Sequence, residues 1–145
     1  MDTQSDFSGR FRMLGRSILA LLCGIVVGIA LSAGTDLMLQ VIGVAPAQNQ
    51  RWPDGLLLLA AVYRSIYGVI ASYIIARLAP NRPMGHSLVA GGLGTLVSAL
   101  GAATMWSATA GQHWYPVALA VTALPTAWIG AKVRLMQLRG EERTV

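Results

Sequence analysis

A chain of 145 residues in which 54% are hydrophobic and only 12% charged holds about half the charge of an average soluble domain, roughly 25%. A membrane-crossing helix needs about 20 mostly apolar residues, so this length suits four crossings and leaves no room for a soluble catalytic domain. The net charge of +5 comes from ten arginines and Lys132. These flank apolar stretches instead of forming a basic, aromatic-bearing domain, which speaks against nucleic acid as a partner.

Residues Met1 to Arg16 form a polar and basic lead. Phe7, Phe11 and Leu14 follow helical spacing, with Arg10, Arg12 and Arg16 among them. One reading is a turn or two lying on the membrane surface. The other is a frayed terminus with orienting arginines.

The first span is predicted over 17–44, interrupted only by Asp36 and Gln40. It exceeds the hydrocarbon thickness, so it tilts or emerges at its far end. Arg16, the apolar run from Ile18 and the Ala30-Leu31-Ser32 stretch before Ala33 also fit a cleaved signal peptide. The apolar run is long for that and continues to Val44. Cys23, the single cysteine, allows neither an intramolecular disulfide nor a cysteine-based metal site, and reads as a small packing residue.

Ala45 to Asp54, with Pro46, Arg51 and Pro53, reads as a loop. The second span is predicted over 55–79 and contains Arg64. A tight turn, Pro80-Asn81-Arg82-Pro83, follows. The third span, 85–108, carries no charge. After a short turn at Gly111 to Trp114, the fourth span covers 115–131 and ends at Lys132 and Arg134. Pro125 is expected to kink it. Residues 132–145 are a polar tail. The expected architecture is an all-α transmembrane four-helix bundle with short loops.

Orientation follows from the basic residues. Arg10, Arg12, Arg16, Arg77, Arg82, Lys132, Arg134, Arg139 and Arg143 fall on one side, and Arg51 alone on the other. This places both termini in the cytoplasm of a bacterium, the protein lying in its inner membrane. Trp52, Trp106, Trp114 and Tyr115 fall near the outer ends, where an aromatic belt belongs.

Read at every fourth residue, the first span shows Ala20, Gly24, Gly28, Ser32, Asp36 and Gln40. The second shows Ala60, Arg64, Gly68, Ser72 and Ala76. Membrane helices associate where small residues let backbones approach. The two stripes therefore predict a seam between adjacent antiparallel helices. Residues equidistant from the loop should share a height: Gly24 with Ala76, Gly28 with Ser72, Ser32 with Gly68, Asp36 with Arg64.

The only acid and only base inside the spans thus meet. An arginine at the bilayer centre costs about 2.5–3.5 kcal/mol on insertion scales, and a bidentate carboxylate contact would offset much of that. The expected Asp36–Arg64 ion pair sets helix register on one reading. On the other it is a binding point in a small polar cavity, with Tyr67 one turn beyond Arg64. Tyr63, Tyr73, Thr35 and Gln40 supply further polar groups.

Gly91, Gly92 and Gly94 lack a following Lys-Ser/Thr and a preceding strand, so they indicate close packing, not a phosphate loop. Thr122, Thr126 and Gly130 repeat the small spacing. His86 and His113 fall near opposite faces and cannot share a metal. The basic turn from Pro80 to His86, with Arg77 and Arg82, connects helices or touches anionic head groups. No metal, cofactor or nucleophile–base set is indicated.

Tyr63-Arg64, the run from Ala76 to His86, and His113-Trp114-Tyr115-Pro116 resemble a pattern in small four-span bacterial inner-membrane proteins of uncharacterised activity. That resemblance implies the architecture and no ligand. The chain is similar in size to small multidrug transporters but lacks their glutamate in the first span. It is also the size of small fluoride channels but lacks their Gly-rich arginine motif.

Three functions stay open, ranked in the order given, with the first two close. The first is an accessory or scaffold protein associating with itself or another membrane protein. The second is a small transporter or channel working as a homo-oligomer through Asp36 and Arg64. A membrane enzyme ranks last, for want of clustered His and acids.

Overall fold

The computed structural model describes residues 3–46, 50–104, 106 and 112–143, with side chains from 12 to 141 within these ranges. They form four helices: α1 Thr3–Val41, α2 Asp54–Leu78, α3 Pro83–Thr104 and α4 Trp114–Arg143. Among the described residues there is no strand. Each helix is long and apolar enough to cross a membrane. The fold is an all-α four-helix bundle of multi-pass type.

Helix boundaries correct the sequence expectation in three places. The basic lead is no separate segment: α1 is helical from Thr3. At the other end, hydropathy continues through Val44 but the helix stops at Val41. Gly43 there takes φ +75°. Its N–H bonds to the Gln40 carbonyl, and the Val44 N–H to that of Leu39. This is the left-handed glycine closure that satisfies the last carbonyls of a helix. Finally, residues 132–143 of the polar tail remain in α4, which also runs on through Pro125.

The remaining ends follow their prolines. Pro53 caps α2, accepting at its carbonyl from Leu56 N and Leu57 N. Ala79, before Pro80, is extended and closes α2. Pro83 opens α3 at the position where a missing N–H costs nothing. The third span ends at Thr104; the remainder of its predicted range, 105 and 107–108, lies outside the described residues, as does Gly111 of the following turn.

The core is made of small side chains. Ala20, Ala60, Ala76, Ala127 and Ala131 are buried, with Ser72, Ser87 and Ile75, while Leu22, Val26, Val97 and Val121 are exposed. Small inside and large outside is the arrangement expected where lipid is the solvent. Apolar contact then gains little, and close backbone approach decides association. Helix α2 is central and packs on all three others. Helix α4 packs on α2 and α3, whereas α1 rests on α2, brushes α3 and does not reach α4 among the described residues.

The small-residue stripes are divided between partners, which corrects the predicted seam. Gly24 faces Ala71 and Ile75, and Gly28 faces Ala71 Cβ at 3.3 Å from where its own Cβ would stand. So α1 meets α2 one residue round from the predicted row. Gly68 instead faces Thr126 of α4, and Ser72 lies beside Gly130. Ser32 lines the space between helices. The physical reason is that a four-residue repeat defines a face without defining its neighbour. Here the parallel pair α2 and α4 takes the small face of α2.

Candidate functional site

Helix α1 carries Asp36 near its end, and α2 carries Tyr63 and Arg64 in its first half. The loop between α1 and α2 makes them antiparallel, which brings these residues to one height. Arg64 Nη2 lies 2.6 Å from Asp36 Oδ2, and Tyr63 Oη donates to Asp36 Oδ1. Each carboxylate oxygen has its own donor. The arginine contact is therefore single, and the second oxygen that a bidentate fork would use is taken by tyrosine.

One turn further on, Tyr67 Oη and Thr35 Oγ1 share a hydrogen bond of 2.8 Å. The Tyr63 and Tyr67 rings are 5.7 Å apart at 46°. Tyr115, at the start of α4, places its ring centroid 6.0 Å from the Arg64 guanidinium carbon, within the range of cation–π attraction. Thus α1, α2 and α4 converge on one charge, although α1 and α4 never pack together.

Two buried donors here lack a protein acceptor among the described residues: Arg64 Nε and Gln40 Nε2. Arg64 also lines a crevice of about 330 Å³ with contributions from all four helices. Its hydroxyl residues include Ser32, Ser65, Ser72, Ser98, Thr122 and Thr126. Ser65, Thr122 and Thr126 donate to carbonyls of their own helices, so their lone pairs face the space. Asp36 is 15% exposed and Arg64 34%, so the base reaches the crevice more than the acid does. The arrangement offers the Arg64 cation and hydroxyl oxygens as acceptors to a polar group. It holds no nucleophile–base relay, and among the described residues no three His, Cys, Asp or Glu are placed to share a metal.

The structure brings Asp36, Arg64 and Tyr67 into one region. It assigns Gly24 and Gly28 to α1–α2 packing and Gly68 and Ser72 to α4. Sequence reasoning named Tyr63 only as a hydroxyl and Tyr115 only as a belt aromatic. No periodicity links Tyr115 to Arg64, because they sit on helices that are not consecutive.

A second polar cluster lies where α2 and α4 begin. Gln112 Nε2 donates to Asp54 Oδ1 at 2.9 Å and to the Trp52 carbonyl at 2.8 Å, and Trp114 Nε1 donates to Asp54 Oδ1 at 3.2 Å. It ties the entry of α2 to the entry of α4. His113 stacks on Trp106 at 4.0 Å. His86 Nδ1 lies 3.2 Å from the Arg82 carbonyl oxygen, at the other end of α3.

Fold and site together define a small multi-pass membrane protein whose ion pair is set between its first two helices and open to an internal crevice. No family model, no curated protein and no solved structure matches the chain.

Proposed function

We propose that this is a protein of the bacterial inner membrane with both termini in the cytoplasm. Its Arg64–Asp36 pair is the binding point for a polar solute in a small transporter or channel that works as a homo-oligomer. The observation that carries the reading is Arg64 Nε: a buried donor without an acceptor, on a side chain that lines a hydroxyl-bearing crevice. A clamp serving only helix register gains nothing from an unsatisfied donor, which costs about 1–3 kcal/mol. Nine basic residues against one support the orientation. The resemblance to four-span bacterial proteins agrees with this location and adds no activity.

An accessory or scaffold role is the second reading. What favours it is α1, which rests almost wholly on α2 and carries exposed Leu22, Val26 and Ile29. In that case the Asp36–Tyr63–Arg64 contact serves to hold α1 in place. Neither reading makes the protein an enzyme.

Thiol labelling separates the two. With Cys23→Ala as background, Ser98→Cys places a probe in the crevice and Leu100→Cys one on the lipid face. The transport reading expects a membrane-impermeant maleimide to label position 98 in spheroplasts far faster than position 100. It also expects Arg64→Gln to change that rate. Equal, slow labelling at both positions means a dry crevice and leaves the scaffold reading.

A further inference from the structure

The end of the bundle away from Asp36 and Arg64 carries a second feature, independent of the role proposed for that pair. Trp128, Lys132, Leu135, Met136 and Arg139 of α4 surround a hollow of about 190 Å³, with Met84 from the first turn of α3 on its other side. Lys132 Nζ stands 4.3 Å from the centroid of the Trp128 ring. The ion pairs among the described residues are Asp36–Arg64 and Arg134–Glu141, so neither Lys132 nor Arg139 has an acid partner there. Trp128 is 45% and Met136 63% exposed. The hollow therefore joins two cations that have no acid partner among the described residues to an open apolar wall.

Its height in the bilayer follows from helix geometry. Lys132 lies 18 residues after Trp114, the first residue of α4, or about 27 Å along the axis at 1.5 Å per residue. That is close to the roughly 30 Å hydrocarbon thickness. Arg139 is two turns further, in the head-group layer. Trp128 is one turn nearer the core, where an indole ring suits the boundary.

We propose that this hollow binds one chemical class, an anionic phospholipid of the surrounding leaflet. Lys132 and Arg139 hold the phosphate, and Trp128, Leu135 and Met136 pack against the glycerol and first methylenes. A free anion would use the charges and leave the apolar wall unused, whereas a lipid uses both. The nearby turn with Arg77 and Arg82 has the same charge and does not line this hollow, which makes it the control.

The full-length protein is purified in mild detergent with equal phosphatidylglycerol and phosphatidylcholine, and retained lipid is measured by native mass spectrometry. Selective retention of phosphatidylglycerol is expected, falling about tenfold or more in K132Q/R139Q, as two basic groups near an anionic surface imply. R77Q/R82Q should retain it nearly as the parent does, and W128L should weaken it. Equal loss in both double variants, or equal retention of phosphatidylcholine, overturns the site. Displacement of the lipid by millimolar inorganic phosphate also overturns it, in favour of a free-anion site. Circular dichroism monitors folding. Should K132Q/R139Q lose helix, W128L decides: undiminished retention there overturns the proposal.

Discussion

Gly130 of α4 packs directly on the backbone of α2 at Val69, whose carbonyl oxygen occupies the space a side chain on Gly130 would need. A Cβ there would also come within 2.8 Å of Ser72 Cβ and of Tyr73 N. Backbone cannot swing aside as a flexible side chain can, so the two helices would have to separate. Ser87 Oγ, which donates to the Ser72 carbonyl at 2.9 Å, would lose its geometry as well. Gly130→Ala is expected to destabilise the bundle by about 3 kcal/mol, the upper end for overpacking. Gly92, with nothing within 4 Å of its position, should accept alanine with no loss. Thermal melting of the two variants in the same detergent checks the contrast.

Asp36 joins two donors from α2, so its replacement affects both. Removing one member of a buried pair costs roughly 3–5 kcal/mol. Arg64 is a third exposed, and about 2 kcal/mol is expected for Asp36→Ala. Tyr63→Phe removes one bond to a charged acceptor and should cost about 1–2 kcal/mol. The exchange Asp36→Arg with Arg64→Asp should recover part of the loss from either single change. Melting temperatures equal to the parent's for all of these variants would show that the contact does not hold α1.

Asp54 ties the entry of α2 to the entry of α4 through Gln112 and Trp114. Asp54→Ala should loosen that end alone. Amides at 112–114 are expected to exchange faster, while those near Ile75 and Ser87 keep their protection. Local opening of this kind is read by hydrogen exchange. Faster exchange throughout would mean that the Asp54 clamp supports the whole bundle.

Much of the architecture was legible because lipid makes simple demands. Each crossing must be a helix, and its length and apolar character can be counted directly. The common height of Asp36 and Arg64 was also legible, since a short connection between antiparallel helices sets heights by counting from the loop. The partner of each small stripe was not. Gly68 and Ser72 lie on a face that suits any close neighbour, and α4 occupies it where α1 was expected. Gly43 was a readable stop for α1, missed because hydropathy continues past it to Val44.

Composition and the order of apolar and basic residues therefore determined four membrane-length helices and which residues lie near which end, because burying an unpaired backbone or a charge in lipid is costly in any fold. Tertiary structure alone decided that α2 is central, that Gly130 rather than Gly28 faces Ser72, and that Tyr63 and Tyr115 join the Arg64 site. Those relations depend on how closely two backbones approach. That is settled by steric fit among helices distant in the chain, which no single helix's pattern contains.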